Sequence, residues 1–205
     1  MSTKKRLVNF TALVIIAGFL SAPSASSAIK TQTFSGTDDS VITIKSFKEA
    51  AIITAEYQGE DNFIVRPIDN DGESGSSWFN EIESWAGTVY QEPSSRAWAA
   101  FSVETVGEWK ITISPISSAP KVNSKKFSGT GSQVVNLGSS SKGLKRATIK
   151  HSGESNFVVL PIESSGKRGF SMVNEIGNYS GTTLLPRGTR YLAIVADGDW
   201  NVSIK

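Results

Sequence analysis

The chain has no cysteine in its 205 residues, which excludes a disulfide framework, a thiolate nucleophile and any Cys-ligated zinc or iron–sulfur site. Its one histidine, His151, is too little for a His-based metal site and makes a Ser-His-Asp triad hard to assemble. A strong excess of one charge is missing too. Lys and Arg number 21 against 19 Asp and Glu, and setting aside Lys4, Lys5 and Arg6 leaves 18 against 19. Electrostatic attraction to nucleic acid or to an anionic membrane is therefore not expected. Long apolar runs are absent apart from residues 7–20, and no segment carries a convincing helical period.

That one run belongs to a delivery signal. Residues 1–6 are short and basic, residues 7–20 are apolar, and residues 21–28 are small and polar, with Ser26 and Ala28 in the −3 and −1 places of a cleavage site. The 14 apolar residues fall short of the roughly 20 that a spanning helix needs, so a cleaved signal peptide over 1–28 is expected. The expected destination is outside the cell, free or held non-covalently at the surface, with no membrane insertion after cleavage.

What the sequence does have is an internal repeat. Phe34-Ser35-Gly36-Thr37 recurs as Phe127-Ser128-Gly129-Thr130. Gly59 begins a run, Gly-Glu-Asp-Asn-Phe-Ile-Val-Arg-Pro-Ile, that returns from Gly153 as Gly-Glu-Ser-Asn-Phe-Val-Val-Leu-Pro-Ile, an offset of 94. Asn80-Glu81-Ile82, with Trp85, Gly87 and Thr88, matches Asn174-Glu175-Ile176, with Tyr179, Gly181 and Thr182, at the same offset. Gly107-Glu108-Trp109 matches Gly198-Asp199-Trp200 at 91, so three residues are lost between Tyr90 and Phe101. A period this long indicates two tandem domains rather than a solenoid. The expected division is a module over 29–116, a linker over 117–126 whose Ser117, Ser118 and Pro120 have linker composition, and a second module over 127–205.

Each copy reads as β. Short β-branched or aromatic runs cover 41–44, 50–57, 63–68, 88–90, 99–105 and 109–113, bounded by Gly, Asp, Asn, Ser or Pro. Trp109, Ile111 and Ile113 alternate with Lys110, Thr112 and Ser114, as do Trp200, Val202 and Ile204 with Asn201, Ser203 and Lys205. Gly107 and Gly198 are expected in hairpin turns with positive φ just before these strands. The expected fold is all-β: two tandem β-sandwich domains of jelly-roll-like form, arising by internal duplication.

Comparing the copies weighs each candidate for chemistry, since a residue the fold needs should recur and one used for function need not. His151 stands where the first copy has Tyr57, which suggests a planar filler at a strand end rather than a catalyst. Asn80-Glu81 and Asn174-Glu175 recur, but carboxylate-pair catalysis needs a second acid at a suitable distance and none is shared, so the Asn is expected to cap a turn. A hydrolase using Glu81 or Glu175 is the weakest reading. Asp69-Asn70-Asp71-Gly72 resembles the start of a calcium loop, yet its counterpart Glu163-Ser164-Ser165-Gly166 loses that oxygen density, so a polar hairpin loop is expected and no metal. Asn178 and Asn201 head Asn-x-Ser acceptor patterns, of consequence only in a eukaryotic source. Trp78, Trp85 and Trp98 are replaced in the second copy by Met172, Tyr179 and Thr189. They are the candidate ligand-binding residues, a platform on which a sugar or extended peptide could stack, although packing on loops or between domains competes with that role.

Residues 155–159, 174–181 and 196–202 carry a Ser-Asn-Phe-Val-Val strand, an Asn-Glu-Ile…Tyr-x-Gly segment and a closing Ala-Asp-Gly-Asp-Trp-Asn-Val strand. This pattern resembles repeat modules of secreted bacterial proteins, and in general plan it is similar to the pre-peptidase C-terminal class of β-sandwich domains. The resemblance implies a module that binds surfaces or polymers, with no catalytic motif and no cofactor. The function expected is that of a secreted, non-enzymatic binding module for carbohydrate or a cell-envelope polymer. The alternative is a protein-interaction or structural component of an extracellular or cell-surface assembly.

Overall fold

A computed structural model describes residues 29–205, so the expected signal peptide lies outside the described residues. The chain runs through β1 (Gln32–Phe47), β2 (Ala51–Gln58), β3 (Asn62–Asp69), β4 (Phe79–Ile82), β5 (Trp85–Gln91) and β6 (Trp98–Pro115), then a single 3-10 turn (Ile116–Ser118). It continues through β7 (Lys126–Thr130), β8 (Gln133–Asn136), β9 (Lys145–Ser152), β10 (Asn156–Glu163), β11 (Val173–Ile176), β12 (Tyr179–Leu185), β13 (Thr189–Val195) and β14 (Asp199–Ile204). The fold is all-β, as expected. Among the described residues no helix is long and apolar enough to cross a membrane.

The strands form four antiparallel layers. Sheet A has the order β4-β3-β6-β1, using the first half of β6 and the second half of β1. Sheet B has the order β5-β2-β6-β1, using the other halves of the same two strands. Sheet C is β11-β10-β13-β8 and sheet D is β12-β9-β14-β7. The pairing of C and D follows that of A and B: Val41 faces Ser102 as Val134 faces Ala193, and Phe34 faces Ile111 as Phe127 faces Val202. The difference is continuity. β1 and β6 pass from one sheet to the other with register shifts near Asp38, whereas in the second sandwich Gly131 adopts φ +68 and breaks the strand.

Alternation puts every second side chain into a core. Between A and B lie Tyr57, Phe63, Phe79, Phe101, Trp109 and Ile111, all buried. Between C and D lie Phe157, Ile149, Leu192, Ile194, Trp200 and Val202. At about 1.5–3 kcal/mol for each large apolar side chain fully buried, these two clusters dominate the stabilisation. Two features of the repeat now have a cause. The indole of Trp109 lies over Gly36 and that of Trp200 over Gly129, where a Cβ would stand 2.5 and 2.4 Å from the ring. Each indole also donates to the carbonyl two residues beyond its glycine, Trp109 Nε1 to Asp38 O (3.2 Å) and Trp200 Nε1 to Gly131 O (2.9 Å).

A third cluster joins the sandwiches. The outward face of sheet B (Ile52, Tyr90, with Ala50 beside them) packs on the outward face of sheet C (Val134, Ile162, Tyr191, Ala193). Thr88 N–H donates to Ser132 O (3.0 Å), the Tyr90 hydroxyl donates to Gly166 O, and Arg168 pairs with Glu92. Burial pushes the Tyr90 phenol far above its ordinary value, so it stays neutral in this contact. The start of the segment expected as a linker is packed into this layer: Ala119 is buried, as is Ile116 just before the segment, and Asn136 N–H donates to Pro120 O (2.8 Å).

Two expectations about glycine need correcting. Gly107 has a positive φ of 135° but lies inside the continuous strand β6, not in a hairpin. Gly198 is not among the positive-φ glycines, and what it supplies is space, because a Cβ there would stand 1.9 Å from Ser152 O.

Candidate functional site

The three tryptophans do not form an exposed platform. Trp78 is 7% exposed, stacks on Phe47 at 6.5 Å, tilts against Phe101 at 6.0 Å and donates through Nε1 to Gln91 Oε1 (2.7 Å). Trp98 is also 7% exposed, lies over Gly75, and leaves its Nε1 without a partner. Trp85 is half-buried: its ring folds back over Gly87 and tilts against Phe79 at 5.2 Å. Tyr179 covers Gly181 in the same way, so this position serves the fold in both sandwiches. Trp78 and Trp98 are core residues of the A–B layer and have no open face on which a ligand could stack.

His151 fills the place of Tyr57. Tyr57 stacks on Phe63 at 4.7 Å and donates to Val106 O (2.8 Å); His151 stacks on Phe157 at 4.2 Å and bonds Gly177 O through Nδ1 (2.8 Å). Its Nε2 lies 3.3 Å from Asp197 Oδ1 without an aligned hydrogen bond. Asn80 and Asn174, expected as turn caps, are mid-strand residues opposite Ile64 and Val158 and point outward. Glu81 is opposite Phe63, and partial burial raises its carboxyl above the ordinary value; Glu175 is exposed.

The Asp69 carboxylate is occupied by its own loop. Oδ1 accepts from Asp71 N–H (3.0 Å) and Glu73 N–H (2.9 Å), and Oδ2 accepts from Arg96 (3.1 Å). The Glu73 amide, with Arg96 and the Asp71 amide, holds the carboxyl below its usual range against the opposing effect of burial. Asp197 is held low in the same manner by the Glu154 and Ser155 amides (2.8 and 2.9 Å). A folded-state value below the unfolded one, about 3.9, adds stability above that pH which is lost as pH falls through the folded value. A melting temperature that stays level from neutral pH to about 4 and then drops is expected, with Asp197→Asn flattening part of the acid limb. An unchanged acid limb in that variant would remove Asp197 from the account.

Open concavities occur at one end of each sandwich. A groove of about 560 Å³ in the second is floored by Val122, Leu137, Leu185 and Ile204 and rimmed by Lys125, Lys142 and Lys145. A smaller one of about 310 Å³ in the first lies beside Ile29 and Phe47 and is rimmed by Lys30, Lys45 and Lys48. Ile29 and Val122, which stand 93 apart in sequence, pack against their respective cores, so the two grooves sit at matching ends. The signal for them in the sequence was slight, because the lysines come from separate strand ends and loops.

No family model and no curated protein matches the chain. Among solved structures it is similar to the PBSX exported protein XepA, with 8% identity over 87% of this chain and 85% of that one at a TM-score of 0.27. It is also similar to the regulatory subunit of a cAMP-independent protein kinase A from Trypanosoma cruzi bound to guanosine, with 9% identity over 85% and 72% at a TM-score of 0.22. Scores this low carry no argument about fold or function.

Proposed function

We propose that this is an exported, non-enzymatic binding protein whose ligand is a carbohydrate or anionic polymer of the cell envelope. The observation that supports this reading most is the pair of lysine-rimmed grooves at matching ends of the two sandwiches. Each has an apolar floor for ring faces or acyl groups and a rim able to pair with carboxylate or phosphate. The resemblance to pre-peptidase C-terminal-type modules and the signal-like residues 1–28 agree with it. Two weak sites on one polymer would raise retention through effective concentration.

The test is retention on purified cell-wall polysaccharide at low and raised salt. Lys142→Glu with Lys145→Glu, or Lys45→Glu with Lys48→Glu, is expected to lower retention by ~100-fold, because one remaining groove forfeits avidity. Retention that ignores both reversals would overturn the reading. The second reading, a structural or protein-interaction component of a surface assembly, is favoured by the apolar side chains on and beside the outermost sheets: Val41 is 70%, Leu184 53% and, in the loop entering β9, Leu144 78% exposed.

A further inference from the structure

The joint between the sandwiches is made by two unlike faces, and each has an unjoined counterpart elsewhere on the molecule. On sheet B the joint is built from Ile52 and Tyr90, flanked by Ala50 and by the Thr54–Thr88 hydroxyl pair (3.0 Å). At an offset of 94 the same places on sheet D hold Arg146, Leu184, Leu144 and the Thr148–Thr182 pair, also at 3.0 Å. Sheet D is the last layer, and among the described residues none covers it, so Leu144 and Leu184 are exposed.

Sheet C enters the joint through Val134, Ile162, Tyr191 and Ala193. The corresponding places on sheet A hold Val41, Ile68, Ala100 and Ser102, by the shared register of β1 with β6 and of β8 with β13. Sheet A is the first layer, and Val41 is exposed there while its counterpart Val134 is 2% exposed inside the joint. The molecule therefore carries one B-on-C joint and, at opposite ends of the stack, a second face of each kind.

The two open faces also differ in charge, in opposite senses. Ser132, whose carbonyl receives the Thr88 amide in the joint, is replaced on sheet A by Asp39, next to Asp38 and both exposed, while Glu104 on the same sheet is paired with Arg66. Ile52, central on sheet B, is replaced on sheet D by Arg146, with Lys150 on the same face along the strand. The Arg168–Glu92 pair has no counterpart on the open faces, where Ser74 and Pro186 stand instead. Asp38 and Asp39 near Val41, facing Arg146 and Lys150 near Leu184, supply polar complementarity in its place.

We propose that sheet D of one molecule docks on sheet A of the next as sheet B docks on sheet C, so that the partner is a second copy of this chain, joined head to tail. The inference rests on the assembly reading above and not on polymer binding. Because the two faces are unlike, each joint leaves one of each kind open, and the assembly grows as an open chain instead of closing as a two-fold dimer.

The test is light scattering and sedimentation over a wide range of protein concentration, with Leu184→Asp and Val41→Asp as variants. Both positions are exposed, and matching melting curves check the fold; Arg146→Glu is a further probe of the basic face. For the unaltered protein we expect an average mass that climbs past that of a dimer and falls on adding salt. Each variant alone should be monomeric. An equimolar mixture of the two should stop at a dimer, since it offers one intact face of each kind. Wild-type protein that stays monomeric, a closed dimer, association surviving in both variants, or a mixture that fails to pair would each overturn the proposal. Polysaccharide retention by the two monomeric variants separates the outcomes: monomeric wild type with retention intact removes the joint and leaves the binding function standing.

Discussion

Trp78→Ala and Trp98→Ala are each expected to destabilise the protein by about 3–5 kcal/mol, a cost of emptying a packed core and not of losing a contact surface. Both rings are buried to the same degree and share the A–B layer with Phe47, Phe101 and Phe79. Truncation would leave voids that β-strands cannot collapse around without breaking ladder hydrogen bonds. The phenylalanine variants sharpen the test. Trp78→Phe removes the hydrogen bond from Nε1 to Gln91 and leaves that glutamine oxygen unpaired. Trp98→Phe removes a donor that has no partner, which offsets part of the lost volume. Trp98→Phe should therefore cost less than Trp78→Phe, by about 1 kcal/mol, as read by denaturant unfolding. If instead the alanine variants kept full stability and lost polysaccharide retention, the rings would be ligand contacts and the grooves would not.

The misreading of these tryptophans has a specific origin. A comparison of the copies sees residue identity, and it treats Met172 and Thr189 in the second copy as proof that the fold does not demand an indole. A core demands volume summed over neighbours, not the same residue at each place, so one slot can hold Trp in one sandwich and a smaller side chain in the other. Where the ring's neighbour is itself constrained the comparison succeeds: Gly36 and Gly129 recur because Trp109 and Trp200 lie over them, and His151 replaces Tyr57 because both are flat rings on a phenylalanine. Strand positions were legible from alternation, since it reports one buried face directly. The stacking of B on C was not, because Ile52 and Tyr90 read as ordinary outward residues until sheet C is set against them. The packing of the connecting segment was hidden for the same reason. Its serines and proline are exposed as composition suggests, but Ala119 among them and Ile116 just before them are held by that same layer.

Gly198→Ala is the second substitution expected to have a large effect, about 3 kcal/mol or more, at a position where the backbone conformation is ordinary. The added Cβ would stand 1.9 Å from Ser152 O, 2.9 Å from Ser152 C and 3.1 Å from Gly153 Cα. All three are backbone atoms, so no rotamer change relieves the clash, and β14 must draw away from β9. Asp199 opposite Ser152 and Trp200 opposite His151 are the first rungs of that pairing. Asp197, one residue before the glycine, holds the amides of Glu154 and Ser155. One methyl group thus loosens a sheet pairing, a buried indole and a carboxylate-anchored turn together. Gly131→Ala is the matched control: its φ of +68 costs about 1–2 kcal/mol for any L side chain, but nothing stands within 4 Å of the added carbon. Equilibrium unfolding should rank Gly198→Ala well above Gly131→Ala. Gly107→Ala should fall with the former, because it meets Gln58 O at 2.4 Å and also carries a φ of 135°. Equal costs at Gly198 and Gly131 would mean that β14 shifts freely, and the recurrence of this glycine before each tryptophan would then need a cause other than close backbone approach.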